Sequence, residues 1–542
     1  MARARPALIA ALGFAVLSVA WSWPWVTAGS VVYGRQFDLW GVLWLLEHAR
    51  TFLPDLHSTI SGLPDGEDLR RLDTWVLMAV GAVTHGLLDP VRVAQLLVLV
   101  GPVGSAVAAE RCAARGLGVA PPWSAIAGIV YGFSGLGATA LLEGHVYVLA
   151  DPWLPLLAWA GLRASGPGGT RRDGVFAGVA WGLAHLTTAY LGLVGALLIT
   201  ALVGRALLAR ADRRALVAPA TGFLLAAAPF ALVWAWTFLT GSGQVASEPG
   251  TVLAGGSATL TTLATWSPAV DLDNHSIAAP LGFAALALVA VAPVVLRDRR
   301  GWRTLLGLAL AAILLALGPA VGVGMGGRGT WYWLDLRGAS PIFGLLHFPV
   351  RFLWAWYLAG GLVAAMAAEA LAARAGRAAY GLLPLVVLDA FVTSGAPLRL
   401  RAIDAGVPSA YSAIPAGTRT LDLLAEDPHA GSGMDVWMRR VACGYQVRHH
   451  LPLVARCLGP HGALTAEDEE RALRAALLDG GDPRPPLDAL GVGAVVLHLD
   501  LFRPEDRGRV SDALEAAFGP PLARSDDAGE SVVAWAVPAA TR

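Results

Sequence analysis

The sequence contains no lysine, few charged residues of either sign and few cysteines. All 40 basic residues are arginines, 40 acidic residues balance them, and charged residues make up 15% of the 542 positions. Soluble domains carry roughly 25% charged residues, so the composition argues against a soluble protein. A net charge of zero without a basic tail gives no support for a nucleic-acid partner.

Several signatures of soluble enzymes are also missing, namely the phosphate-cradling loop, zinc-ligand spacings and the nucleophile elbow. The three cysteines are too few for a disulfide framework. Cys443 and Cys457 lie close together in the sequence and could pair if their segment is extracytoplasmic. The sequence leaves the paired and the free states open, because it does not give their Cα separation.

Long apolar runs dominate what the chain does contain. It is 56% hydrophobic with a mean hydropathy of +0.57, and runs of about 20 apolar residues recur from residue 7 to about residue 395. Arginine-rich loops alternate with arginine-poor ones, which places the arginine-rich loops in the cytoplasm. This pattern predicts a multi-pass membrane protein with about eleven spans, at residues 7–28, 91–110, 122–141, 146–163, 174–189, 191–209, 215–239, 279–296, 302–321, 350–373 and 378–395.

Two apolar segments require a choice. The opening "MARARPALIAALGFAVLSVAW" can be a signal peptide, but the "WSWPW" that overlaps its end is typical of the interfacial end of a retained helix. We therefore expect a retained helix and a cytoplasmic N-terminus. Segment 74–88 is short for a span, and counting it as one would place the later arginine clusters outside. We expect this segment to lie in, or dip into, the outer face of the bilayer.

The composition changes after residue 395, where charges, prolines and turn signals replace the apolar runs. Residues 490–502 and 530–538 read as strands, and 504–519 reads as a helix that opens with proline and acids and closes with glycine. Adjacent His449 and His450 are interpreted as lying on opposite faces of a strand, which makes them a poor metal pair.

The predicted fold class is therefore mainly α. Residues 1–395 form a polytopic transmembrane helical bundle, whose first outer loop at 29–90 carries membrane-surface helices. Residues 396–542 form a small α/β domain, and the number of predicted spans places this domain outside the cytoplasm.

Asp38 is the first candidate for chemistry. It lies in "FDLWGVLWLL", whose apolar residues at helical spacing suggest a helix lying flat on the membrane. Such a helix would hold Asp38 at the level of the lipid headgroups, where a carboxylate can take a proton from an acceptor hydroxyl. The alternative is an ordinary solvated acid.

A second cluster of charges lies in "LPDGEDLRRLDTW", residues 63–75. Acids that include Asp73 alternate there with Arg70 and Arg71. A solvated loop is one interpretation. The other is a site in which a carboxylate helps to hold a divalent cation, or an arginine holds a phosphate.

Two stretches at the ends of predicted spans carry the remaining candidates. In "LLEGHVYVLADPW", Glu143 and His145 flank a tight outer turn, while Asp151 falls inside a span and is either functional or part of a structural kink. In "LLHFPVRFLW", His347 and Arg351 stand at the outer start of a span. Arg351 either snorkels to headgroups or binds a lipid phosphate with bidentate geometry.

Taken together, these stretches resemble the bacterial integral-membrane glycosyltransferases of the GT-C superfamily, and in particular a branch with a C-terminal extracytoplasmic domain. The likeness spans most of the chain, although each motif is short. The matching segments are "YGRQFDLW", "LPDGEDLRRLD", "YGFSGLGATALLEGHVYVLADPWLPLLAW", "AHLTTAYLGL", "LLHFPVRFLW" and "YQVRHHLPLV".

The resemblance implies a transfer reaction at the outer face of the bacterial cytoplasmic (inner) membrane. A sugar on a polyprenyl-phosphate or polyprenyl-diphosphate carrier would pass to an extracytoplasmic acceptor, which the sequence does not identify. An acid in the first outer loop, matching Asp38, would act as general base or orient the acceptor. Arg35 stands where the branch often has an Asp, which leaves open both dependence on Mg²⁺ or Mn²⁺ and activity itself.

Chemical logic assigns roles to the other candidates. Asp38 or Asp73 would supply the base, and the leaving phosphate would need a cationic group such as Arg35, Arg71 or Arg351. Further substrate contacts are expected from Glu143, His145 and His347.

Two other functions remain open. A transporter or flippase of a lipid-linked glycan intermediate would be expected to show internal repeats, and the sequence has no convincing one. A non-catalytic envelope assembly protein is the other alternative. The gathering of candidate charges at one face favours an enzyme.

Overall fold

The structure is a computed structural model, and its placement of the chain is described for most residues. The described residues are 5–23, 25, 31–33, 37–52, 56–61, 63, 67–68, 74–142, 144–149, 151–166, 168–208, 213–241, 281–299, 301–317, 349–395, 402–404, 406–423, 433–454, 457, 467–502, 504–528 and 530–538.

Helices occupy each range that the hydrophobic pattern predicts as a span. They are α1 (Arg5–Ser22), α4 (Pro90–Arg111), α5 (Ser124–Gly132), α6 (Gly135–Leu142), α7 (Trp153–Ala164), α8 (Arg171–Thr187), α9 (Ala189–Leu208), α10 (Arg213–Gly241), α11 (Phe283–Val295), α12 (Trp302–Ala316), α13 (Leu353–Ala375) and α14 (Leu382–Ser394). Two further helices, α2 (Phe37–Phe52) and α3 (Trp75–Thr84), follow α1.

The chain is a multi-pass membrane protein. Among the described residues, five stretches are long and apolar enough to cross a bilayer, namely Pro90–Gly116, Ser124–Leu141, Ala189–Leu207, Leu216–Val233 and Val350–Ser394. Apolar side chains are exposed where lipid would surround the bundle, as in α1, where Leu8, Leu12 and Val16 are 62%, 59% and 69% exposed. The count of eleven spans stays a prediction.

Small residues let the membrane helices approach closely. Gly174, Gly178 and Gly182 recur every fourth residue on α8, and a Cβ at any of them would overlap α10. Such small-residue stripes are how helices pack in lipid, where no hydrophobic force drives them together. At the centre of the bundle, every residue of α13 from Leu353 to Ala368 is buried.

Helix α2 differs from its prediction as a helix lying flat with one face on the membrane. Every residue from Leu39 to Leu46 is buried, because the run is apolar on all sides and a helix of that kind must be covered. Its cover comes from α3, α4 and α15 (Gly433–His449). Helix α3 has ten residues and is about 15 Å long, which is too short to cross the bilayer.

The first loop and the C-terminal segment are joined by backbone hydrogen bonds. Strand β1 (Val31–Tyr33) pairs antiparallel with β4 (Ala402–Asp404), and the amide of Leu453 donates to the carbonyl of Ile60 at 2.9 Å. The two segments therefore lie on one side of the bilayer, and the chain between them crosses it an even number of times. The predicted spans after the first number ten and meet this condition, whereas an added span at 74–88 would break it.

A second short ladder lies inside the first loop, where β2 (His57–Ser58) pairs with β3 (Glu67–Asp68). The C-terminal segment carries a larger sheet in the order β5–β6–β8–β7, built from β5 (Thr420–Leu423), β6 (Ala494–His498), β7 (Ala523–Asp527) and β8 (Glu530–Ala536). Only the β5–β6 pairing is parallel in this sheet.

Helices α16 (Glu467–Asp479), α17 (Arg484–Leu490) and α18 (Pro504–Phe518) accompany this sheet, and they share its apolar core with Leu421, Leu497 and Trp535. Strands β6 and β8 and helix α18 fall within the stretches predicted as strands and helix. Cys443 and Cys457 form a disulfide with a Cα separation of 5.6 Å. The strand interpretation of the two histidines was wrong, because α15 continues to His449 and ends there.

Candidate active site

The first turn of α2 lies against the tight turn that follows α6. Gly144 has φ +83°, and a Cβ at this position would overlap the backbone nitrogen of Leu39. Only glycine meets both demands, because other L-residues rarely adopt this backbone conformation. The contact places the turn beside Asp38, whose backbone is in the first turn of α2.

The same turn brings His145 to Arg351. The guanidinium Nη2 of Arg351 lies 3.4 Å from the imidazole Nε2 of His145, and its central carbon lies 4.5 Å from the centre of the Tyr190 ring. Arginine only donates hydrogen bonds, so Nε2 of His145 accepts. A cation over an aromatic face is attracted to the ring quadrupole, and the two contacts fix the guanidinium just before α13.

The structure therefore places His145 against Arg351, and it places the backbone of Leu39, next to Asp38, against the turn that carries His145. The side chain of Asp38 is outside the described part of the chain. Arg35, Arg71, Asp73, Glu143 and His347 also lie outside the described residues, so their placement stays a prediction.

Asp151 takes the structural role that the sequence left as one of two alternatives. Its side chain is fully buried and accepts hydrogen bonds from the Tyr131 hydroxyl at 2.7 Å and from the amides of Trp153 and Leu154 at 3.2 and 3.4 Å. The carboxylate therefore satisfies two backbone amides in the first turn of α7, which have no partner within the helix. Asp151 thus fixes the start of α7.

Helix α15 covers the other side of α2. Nε2 of His48 lies 2.5 Å from the amide oxygen of Gln446, and the rings of Trp40 and Tyr445 are 6.1 Å apart. A Cβ at Gly444 would overlap the Trp40 ring. The position of α2, and with it Asp38, therefore depends on α15.

Sequence reasoning missed a buried ionic cluster beneath α15. His498 lies between two carboxylates, with Nε2 3.0 Å from Asp422 and Nδ1 2.8 Å from Glu530. Ionised carboxylates only accept, so both ring nitrogens donate and the ring is an imidazolium. The hydroxyls of Tyr411 and Tyr445 donate to Asp422 and Glu530, respectively. The available signal was one charged or ionisable residue in each of the apolar strands β5, β6 and β8.

Electrostatics shifts the pKa values of this cluster and its neighbours. Burial alone would lower the pKa of His498, but the Glu530 and Asp422 carboxylates outweigh it and raise the pKa to about 10. Burial tends to raise the pKa of Glu530, and the charge of His498 lowers it overall. Burial lowers the pKa of His48 and of His449 to about 4.

The described residues hold no group of three or more His, Cys, Asp or Glu side chains arranged to bind a metal ion. Two of the four acids of the 63–75 cluster, Asp65 and Asp73, lie outside the described residues.

The sequence matches no protein-family model and no curated protein. Its fold is similar to that of the arabinofuranosyltransferase AftD from Mycobacteria, with 16% identity and a TM-score of 0.65 over 99% of this chain and 40% of that chain. It is also similar to the oligosaccharyltransferase of Archaeoglobus fulgidus, with 12% identity and a TM-score of 0.52 over 94% of this chain and 70% of that chain.

These likenesses show that the chain shares the fold of these two transferases, as the resemblance in the sequence motifs implied. They extend over nearly the whole chain, so the fold includes both the membrane helices and the segment after residue 395. The chain spans 40% of the length of the AftD chain it matches. At identities of 16% and 12% the comparisons bear on the fold alone.

We expect Gly144→Ala to move the first turn of α2, because the added Cβ would meet the backbone of Leu39. Gly168→Ala is the matched control, since Gly168 has φ +82° but no heavy atom within 4 Å of a Cβ. In the control, the free energy of unfolding should fall only by the cost of placing alanine in the left-handed conformation, about 1–2 kcal/mol. Gly144→Ala should lower the free energy of unfolding by more than this, and it should speed amide hydrogen exchange at residues 37–44. Equal stability and equal exchange in the two variants would contradict the contact.

The histidines predict a maximum of thermal stability near pH 6.5. The raised pKa of His498 adds stability that is complete below pH 6.5 and is lost as the pH rises toward 10. The lowered pKa values of His48 and His449 remove stability as the pH falls from 6.5 toward 4. Both effects follow from proton linkage and can be measured as melting temperature against pH.

Glu530→Gln isolates the alkaline limb of that profile. It removes a carboxylate that raises the pKa of His498 and should make the decline between pH 6.5 and 10 shallower. Glu515→Gln, on the exposed side of α18, is the control and should leave the profile unchanged. An unaltered alkaline limb in Glu530→Gln would show that the His498 cluster does not set it.

Proposed function

We propose that the chain is a membrane glycosyltransferase. It moves a sugar from a polyprenyl-phosphate-linked donor to an acceptor on the extracytoplasmic side of the bacterial cytoplasmic membrane. The observation that supports this most directly is the contact of Arg351 with His145, beside the first turn of α2 that bears Asp38. The fold shared with glycosyltransferases supports it further.

The depth of Arg351 suits a lipid-linked donor. The residue lies in the turn Pro349–Phe352, at the start of a stretch able to cross the bilayer, and so at the level where a carrier lipid presents its phosphate. Its guanidinium is held by His145 and Tyr190, so less side-chain freedom is lost on binding. Arginine also matches phosphate oxygens with two parallel hydrogen bonds.

The reaction we propose is a single displacement. Asp38 accepts the proton of the acceptor hydroxyl, whose oxygen then bonds to the anomeric carbon of the sugar. The bond from that carbon to the phosphate oxygen breaks, and its electron pair leaves with the polyprenyl phosphate. Arg351 stabilises the charge that develops on the leaving phosphate. Attack from the opposite face inverts the anomeric centre.

The remaining predicted residues complete the proposed site. Asp73 is the second candidate for the base, and Arg35 and Arg71 are further candidates for the phosphate. Glu143 and His347 adjoin His145 and Arg351 in the sequence, and we assign them to substrate binding.

Asp38→Asn tests the proposed base. The purified protein should release polyprenyl phosphate from a native lipid extract, and the variant should release it about 10²–10⁴ times more slowly, as expected for loss of a general base. Asp38→Ala should behave similarly. The measurement is the rate of polyprenyl phosphate release, followed by mass spectrometry.

Asp512→Asn makes the same chemical change at an exposed position on α18 and should keep the wild-type rate. Failure of the wild-type protein to release polyprenyl phosphate from any lipid fraction would count against catalysis. Full activity in both Asp38 variants would remove Asp38 from the mechanism.

A further inference from the structure

A separate cavity of about 500 Å³ opens at the far end of α2. It lies between the last turns of α2, the turn that follows α3, and the end of α15. Its polar lining is contributed by Glu47, His85, Asp89, Arg448 and His450. Glu47 is nine residues beyond Asp38, which places it about 14 Å away along the helix axis. The volume is within the range of small-molecule sites.

The charges of the lining do not favour an anion. Arg448 is paired with Asp89, so its charge is largely compensated, and Glu47 adds a further acid. Nδ1 of His85 lies 2.8 Å from the backbone carbonyl of Glu47, so Nδ1 donates and Nε2 is left as an acceptor. Carboxylates and imidazoles of this kind are suited to accept hydrogen bonds from the hydroxyls of an uncharged ligand.

The rim of the cavity is apolar and exposed. Val83, Leu87 and Leu88 are 74%, 77% and 45% exposed. They come just before Pro90, where a stretch able to cross the membrane begins. The exposed apolar surface continues along α4 through Leu96 and Val100. A ligand in the cavity can therefore keep an attached hydrocarbon chain in lipid.

The backbone at His450 adds an independent observation. His450 follows the last residue of α15 and has φ +55°. Glycine commonly fills this helix-ending position, and a left-handed conformation costs other residues about 1–2 kcal/mol. The chain places an imidazole there instead, on the wall of the cavity, and strain of this kind clusters at ligand sites.

We propose that this cavity binds the uncharged, hydroxyl-rich head of a lipid-anchored glycan, while the lipid chain lies along the apolar rim. If the chain is the glycosyltransferase proposed above, this glycan is part of the acceptor. That role rests on the proposed function, whereas binding of the glycan head does not.

The test is photo-crosslinking of the full chain in phosphatidylcholine nanodiscs. The probe is an alkyl maltoside that carries a diazirine in the alkyl chain next to the sugar, and labelled peptides are mapped by mass spectrometry. Labelling should fall on residues 83–90 and 447–450, and excess unlabelled dodecyl maltoside should suppress it at least tenfold. Dodecylphosphocholine and free maltose at the same concentration should not suppress it.

Each alternative outcome overturns the proposal. Suppression by dodecylphosphocholine would indicate a crevice for ordinary phospholipid, and suppression by maltose would indicate a site for soluble sugar. Labelling spread evenly over the exposed surface of the bundle would show that the cavity binds no glycan head.

His450→Gly separates binding from folding. It removes the imidazole and relieves the backbone strain, so labelling should fall about tenfold, as for one lost hydrogen bond, while the melting temperature should hold or rise. Ala528→Gly relieves the same strain at φ +52° away from the cavity and should leave labelling unchanged. Undiminished labelling of His450→Gly would overturn the assignment.

Labelling and turnover are separate readouts. A protein that binds the probe at this cavity but releases no polyprenyl phosphate would leave the glycan site standing and remove the proposed reaction. Release of polyprenyl phosphate without labelling would support the proposed reaction and overturn the glycan site.

Discussion

The packing of α15 against α2 is the contact on which the candidate site depends. Between Leu39 and Leu46, α2 is apolar around its whole circumference and must be covered by protein. The membrane helices cover only part of it. Close approach at Gly444, where no larger residue fits beside Trp40, and the bond between His48 and Gln446 supply the rest. A segment more than 380 residues further along the chain thereby sets where the first loop holds Asp38.

The ionic cluster under α15 explains how that helix is held in turn. A buried imidazolium loses the free energy of its hydration. Here hydrogen bonds from both ring nitrogens to two carboxylates offset that loss. Tyr445 links the cluster to α15, since its hydroxyl bonds Glu530 while its ring contacts Trp40. One side chain therefore connects the C-terminal sheet with the helix that carries the proposed base.

Much of the fold and part of the site could be predicted from local sequence signals. Apolar runs of membrane length predict helices because lipid satisfies no backbone polar group, and helices lie at each predicted span. His145 and Arg351 could be proposed because each stands at the end of such a run, and Asp38 because it begins an apolar helix after the first span. The pairing of β1 with β4, the cover of α2 and the Asp422–His498–Glu530 cluster escaped prediction. Each joins residues far apart in the chain. The periodicity of one segment shows that a face is buried, but it does not show which other segment packs against that face.

The central claim is that the phosphate of a membrane-embedded carrier and the carboxylate of Asp38 share one cavity beside Arg351. A cryo-EM structure of the full chain with added polyprenyl monophosphate measures this directly. The account predicts phosphate density within hydrogen-bonding distance of the Arg351 guanidinium, with the Asp38 side chain facing the same space. Phosphate bound elsewhere, or an Asp38 side chain directed into bulk water, would contradict it.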